Sequence, residues 1–140
     1  MNLNNYKIGT GRLTTDIKVF PNSDESQKIR FTLAEVNDYK EKDGSRASQF
    51  IPYEAFIPAS KNGDLGVYAR MHEGDLVTVQ ATAKNNNYTD PDTGAKVYGI
   101  VLQVEKVKLL ESKDITDARQ TYKAAVRNKK AADSAALSNK

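Results

Sequence analysis

Side chains able to do covalent chemistry are few in this sequence. His72 is the single histidine, in the turn-like "MHEGD", and there is no cysteine. Nucleophilic catalysis needs a base within hydrogen-bond reach of the nucleophile and a third group to orient it, and one imidazole assembles no such set. Gly9 and Gly11 form a lone G-x-G with no helix to follow, so they read as room for a bend in a barrel rather than a phosphate cradle. "DPDTG" at 90–94 places carboxylates near a glycine but misses calcium-loop spacing, and a hairpin tip accounts for it. What remains is aromatic. In "SQFIPYEAFI", Ser48 to Ile57, strand alternation puts Ile51, Tyr53, Ala55 and Ile57 on one face and Phe50, Pro52, Glu54 and Phe56 on the other. The second face, with its carboxylate and proline, is a poor lining for a dry core, since a buried carboxylate without a partner is costly. Two phenylalanine rings on a wet face can stack on the π faces of unpaired nucleobases. The plain alternative is a satellite hydrophobic cluster or a contact between subunits.

The same parity applies to "DLVTVQATAKNNNY". Val77, Val79, Ala81 and Ala83 form its apolar side, so Tyr88 falls with Thr78, Gln80, Thr82, Lys84 and Asn86 on the polar side, at the edge of a long hairpin. Tyr39 stands at the matching place beside the other hairpin. Its parity with Phe31 and Leu33 points inward, but Glu35 shares that parity and a bulge would switch faces. Lys40, Lys42 and Arg46 surround one hairpin and Lys84 and Lys96 the other. They are candidates for phosphate contact, or only keep the loops solvated beside Glu41, Asp43, Asp90 and Asp92.

The elements that must carry these residues read as strands. Tyr6–Leu13, Lys28–Val36, Ser48–Ile57, the run from Asp75 to Tyr88 and the apolar run from Lys96 to Glu111 are separated by turn signals, Asp43-Gly44 among them. Leu65, Tyr68 and Met71, three apart and followed by Gly74, predict a short helix between the third and fourth strands. Five strands with one short helix in that place is the order of a Greek-key barrel of the OB type. A β-sandwich shows similar short strands, and periodicity alone does not exclude it.

The 140 residues suit one domain and a tail. Up to Glu111, 14 Lys/Arg stand against 15 Asp/Glu, a net charge of −1; from Ser112 on, 7 stand against 3, a net of +4. The basic excess therefore belongs to the tail at 112–140, and a nucleic-acid site on the domain at 1–111 must rest on placement of charge and on stacking. Ile115, Ala118, Tyr122, Ala125 and Val126 predict a tail helix capped at Ser112 or Thr116 and reaching about Asn128, with a disordered tail as the alternative. No apolar run approaches the roughly 18 to 20 residues that span a bilayer, and the N-terminus lacks a secretory pattern. Absence of cysteine suits a reducing compartment.

These residues carry a resemblance. "GRLTTD" at 11–16, "RFTLAEVNDYKEKDGSRASQFIPYEAF" at 30–56, "EGDLVTVQATAKNNNYTDPDTGAKVY" at 73–98 and "VEKVKLLE" at 104–111 resemble, in order, the bacterial single-stranded DNA-binding protein family. The resemblance implies an OB barrel and sequence-independent binding of single-stranded DNA in replication and recombination. Its base-stacking positions fall on Tyr39, Phe50, Phe56 and Tyr88. It also implies a cytoplasmic homotetramer or dimer, contact with replication or recombination proteins, no enzymatic activity and no cofactor. Tryptophan, frequent at the family's stacking positions, is absent here. The family's Gly/Gln-rich linker and acidic C-terminal tip have no counterpart in a sequence ending "AALSNK", so recruitment through such a tip is not expected. That trimming points to a phage- or plasmid-encoded member. Two rivals stand beside this reading: a protein-interaction module on the same fold, and a nuclease, for which no clustered acidic ligands or general base are found.

Overall fold

Alternation of apolar and polar residues builds the strands, and their burial follows it. The structure is a computed structural model that describes residues 4–138. Its elements are β1 (Lys7–Leu13), β2 (Lys18–Pro21), β3 (Gln27–Val36), β4 (Ser48–Ile57), β5 (Leu76–Asn85), β6 (Tyr88–Thr89), β7 (Lys96–Val97), β8 (Ile100–Leu109) and helix α1 (Lys113–Ser138). By internal contacts the chain divides into two units, one through Leu110 and one from Glu111 onward.

The first unit is a closed barrel. The sheet runs β1-β5-β8-β4-β3-β2, and β1 pairs with both β5 and β3, which joins the two ends of a five-stranded wall. All pairings in it are antiparallel except β4 with β8, which is parallel and registers only Glu54 against Gln103. This is the five-stranded, mixed barrel expected of the OB type. Ile29, Phe31 and Leu33 of β3, Tyr53 and Ala55 of β4, and Val77, Val79 and Ala81 of β5 fill it. Phe31 stacks on Tyr53 with ring centroids 5.6 Å apart.

The pair Gly9 and Gly11 makes the double pairing of β1 feasible. A Cβ on Gly9 would collide with the Tyr53 hydroxyl and the Glu35 carboxylate, and one on Gly11 with the backbone carbonyl of Ala34. Space at this corner is taken by a polar knot: Lys7 Nζ donates to Glu35 Oε1 and to Tyr53 Oη, each at 2.7 Å, while the Tyr53 hydroxyl donates to Glu35 Oε2. Glu35 keeps its inward parity because those donors satisfy it, and β3 pairs with β4 without a bulge to its end at Val36. Tyr39 lies beyond that end, so strand parity does not govern it.

Three features of this unit differ from the sequence expectation. β2 is an additional strand; its four residues are too few for a periodic signal, and only the pairing of Val19 with Ile29 and its neighbours defines it. The helix expected near Asp64 to Met71 is a 3₁₀ turn over Gly66–Arg70, preceded by another at Ala59–Lys61. A uniform spacing of three, as in Leu65, Tyr68 and Met71, is the repeat of the tighter helix. The run from Lys96 to Glu111 is divided between β7, which pairs with β6 in a small separate hairpin, and β8.

Within the second unit, α1 extends ten residues past the expected end, to Ser138. No glycine or proline interrupts "NKKAADSAAL", and its alanines favour helix. Ser112 is the cap: its hydroxyl accepts the Ile115 N–H at 3.4 Å and its carbonyl the Thr116 N–H at 3.1 Å. No helix among the described residues is long and apolar enough to cross a membrane.

Candidate nucleic-acid interface

The register of β3 against β4 determines what accompanies each outward residue. Phe56 lies opposite Lys28, Glu54 opposite Arg30, Pro52 opposite Thr32 and Phe50 opposite Ala34. β2 extends two of these rows, setting Phe20 beside Lys28 and Lys18 beside Arg30. Phe50 is 67% exposed and Phe56 53%, so both rings lie open to solvent. They lie six positions apart along β4, about 20 Å at the rise of a strand. Pro52 sits between them with no N–H to offer. The Thr32 carbonyl opposite is already taken by the Thr14 N–H at 3.0 Å, on the side away from β4, so no rung is lost there.

A groove of about 570 Å³ crosses this face. Lys18, Phe20, Arg30, Pro52 and Glu54 line it from the sheet, and Asn86 and Ile100, at the base of the β6–β7 hairpin, from the other side. Arg30 Nε lies 2.8 Å from Glu54 Oε1 in an ion pair whose arginine is more than half exposed. The groove thus combines the open ring of Phe20, aliphatic contact and cations that water can reach, while Phe50 and Phe56 stand on the same strand face outside its lining.

Two hairpins carry the other candidates. Tyr39 is 62% exposed and its hydroxyl accepts from Asn37 Nδ2 at 3.2 Å. Its loop is closed by the Asn37 N–H to Ala47 and the Glu41 N–H to Ser45, and Gly44 supplies a φ of 87° at the tip. Asp43 accepts from the Ser45 hydroxyl at 2.6 Å and from the Ser45 N–H at 2.9 Å. Those hydrogen bonds, the hydroxyl's first, hold its carboxyl below the usual carboxylate value. Arg46 donates to the carbonyls of Asn37, at 3.2 Å, and Asp38, so part of its guanidinium holds the hairpin together. On the second hairpin Tyr88, 56% exposed, pairs with Val97, and Lys96 pairs with Thr89. Lys84 sits in β5 opposite Val101. Lys40, Lys42, Lys84 and Lys96 are exposed and form no ion pair among the described residues.

The geometry therefore groups Phe50 and Phe56 on one face and leaves Tyr39 and Tyr88 on separate hairpins. It adds residues that sequence reasoning missed: Lys18, Phe20, Lys28, Arg30, Tyr98 and Ile100. Lys28 and Arg30 alternate with buried Ile29 and Phe31, so parity places them outward; knowing that they adjoin Phe56 and Glu54 required the register. Tyr98 and Ile100, 74% and 75% exposed, were hidden in an apolar run that reads as core.

His72 is partly exposed, with Nδ1 4.0 Å from Asp75 Oδ2, and its backbone N–H donates to the same carboxylate at 3.0 Å. No cluster of three or more His, Cys, Asp or Glu fit to hold a metal occurs among the described residues.

The fold and site together define an OB-type barrel with an open aromatic and cationic groove. No protein-family model matches the chain. It is distantly similar to bacterial single-stranded DNA-binding proteins: 27% identical over 112 residues to single-stranded DNA-binding protein 1 of Streptococcus pyogenes, covering 80% of this chain and 82% of that protein. It is 28% identical over 117 residues to the single-stranded DNA-binding protein of Lactiplantibacillus plantarum, covering 83% of this chain and 56% of the other. Against that of Staphylococcus aureus it is 27% identical over 116 residues, covering 83% and 71%.

Proposed function

We propose that the protein binds single-stranded DNA without sequence preference, protecting it during replication and recombination. The observation that carries this reading is the pair of open rings, Phe50 and Phe56, on a groove face flanked by Lys28 and Arg30. Every base has a π face and a duplex hides it, so such rings select unpaired strands without reading their sequence. Tyr39 and Tyr88 extend the platform from the two hairpins, with Lys40, Lys42, Lys84 and Lys96 facing phosphates and Arg46 bracing the loop that bears Tyr39. At about 1–3 kcal/mol per stacked base, four rings supply roughly 4–12 kcal/mol before ordering costs. The protein is a binding protein rather than an enzyme, and acts in the cytoplasm as a homotetramer or dimer, in which linked barrels raise affinity through effective concentration. Similarity to the three named proteins supports the same reading.

The test is titration with oligo-dT followed by tyrosine emission, which no tryptophan masks. A Phe50→Ala/Phe56→Ala variant should keep the far-UV spectrum and thermal midpoint of the wild type and lose about 30-fold or more in affinity, two rings at the lower stacking value. Unfolding of the variant would show the rings to be structural. A wild-type protein that ignores oligo-dT would instead make the exposed aromatic face a protein-docking surface. Light scattering of the pure protein decides its assembly.

A further inference from the structure

We propose that helix α1 is a second surface for the phosphates of a nucleic-acid strand, acting by charge and without stacking. It rests on the reading of the barrel only for the choice of a single strand as ligand. The charge of the chain is segregated: from Ser112 on, 7 Lys/Arg stand against 3 Asp, whereas the preceding part carries 14 against 15. Part of that basic charge is used within the unit, since Arg119 Nη2 grips both oxygens of Glu111 at 2.9 and 2.7 Å. Further along, Arg127, Lys129 and Lys130 are exposed and form no ion pair among the described residues.

Helical geometry sharpens this. At 3.6 residues per turn, Arg127 and Lys130, three residues apart, share a stripe and Lys129 projects about 100° to its side, so three exposed cations fan out within one turn, with Asp133 the one carboxylate within four residues of any of them. Like charges at those spacings repel one another and weaken a helix. A polyanion laid against this turn neutralises Arg127, Lys129 and Lys130 together and releases its own counterions. A lipid surface fits less well. An interfacial helix needs a continuous bulky apolar face, but beyond Ile115, Tyr122 and Val126 the next positions of that face are Lys129 and Asp133.

The measurement is the salt dependence of oligo-dT binding by the full chain and by an Arg127→Ala/Lys129→Ala/Lys130→Ala variant. Alanine favours helix, so α1 should persist by circular dichroism. The log–log slope should become shallower by about 2, three phosphates at roughly 0.7 each, so that the wild type's advantage shrinks about 20-fold between roughly 50 and 200 mM salt. Equal slopes would overturn the inference. The Phe50→Ala/Phe56→Ala variant is run in parallel and should lose affinity at unchanged slope. If it binds as the wild type does while the triple variant loses slope, the barrel reading fails and the helix stands. Flotation with phosphatidylserine vesicles that the triple variant abolishes, at equal slopes on oligo-dT, would assign the surface to lipid and refute its assignment to DNA.

Discussion

Glu54 puts a negative charge between Phe50 and Phe56, on a face whose other ionisable residues are Lys18, Lys28 and Arg30. Its carboxylate holds Arg30 at 2.8 Å, where a phosphate oxygen would otherwise sit. Glu54→Gln should therefore release Arg30 to the strand. Binding should tighten by up to about 1 kcal/mol, the scale of an exposed ion pair, and the salt slope should steepen by about 0.7. Weaker binding by this variant in the oligo-dT titration would show that Glu54 itself contacts the strand. A second residue-scale consequence concerns stability: Gly11→Ala drives a methyl into the Ala34 carbonyl, and overpacking against backbone should cost about 1–3 kcal/mol or more, read as a lower urea midpoint. The sequence disclosed the open rings because a proline and a glutamate share their parity. It did not disclose the Arg30–Glu54 pair, because parity says which face a residue takes and only register says what it touches.

At the scale of elements, the hairpin between β3 and β4 separates two roles for Arg46. Its bonds to the Asn37 and Asp38 carbonyls make it a brace for the loop that bears Tyr39. Both bonds leave one nitrogen, Nη1, at the end of a rigid planar guanidinium, a reach and direction that the flexible stem of a lysine does not hold although it keeps the charge. Arg46→Lys should therefore behave like Arg46→Ala, with faster amide exchange at Glu41 and Gly44, weaker oligo-dT binding and an unchanged barrel midpoint. An Arg46→Lys variant that binds like the wild type would make the charge, and hence a phosphate contact, the part that matters. Long strands were legible because alternation repeats over ten residues in β3, β4 and β5. β2, at four residues, and β6 and β7, at two each, are too short for a period, and pairing alone defines them. The extra length of α1 shows the converse: a run without a strong apolar period still continues as helix when propensity is high and no breaker intervenes.

For the molecule as a whole, composition shows a near-neutral stretch up to Glu111 and a basic one from Ser112 on, but closure of the barrel through both edges of β1 is a long-range fact that no local pattern encodes. The barrel buries the Tyr53 ring and packs a partly buried Tyr68 against its core, and ionisation of these two phenols bears on global stability. Burial pushes the Tyr68 hydroxyl up to about 12 from its ordinary 10. Tyr53 is raised as well, first by burial and then by the Glu35 carboxylate it donates to. From about pH 10 the unfolded chain releases these protons while the folded barrel retains them. The unfolded state then binds fewer protons, and unfolding free energy falls as pH rises. Stability from these groups is thus complete below pH 10 and declines from there through about 12 for Tyr68, with Tyr53 extending the decline. Urea midpoints measured from pH 8 to 11.5 should stay level and then drop, and Tyr68→Phe should make the drop shallower, since a phenyl ring keeps the packing on Phe31, 6.3 Å away between centroids, without the proton. A Tyr68→Phe profile that falls as steeply as the wild type's would mean that other groups govern the alkaline limit of the fold.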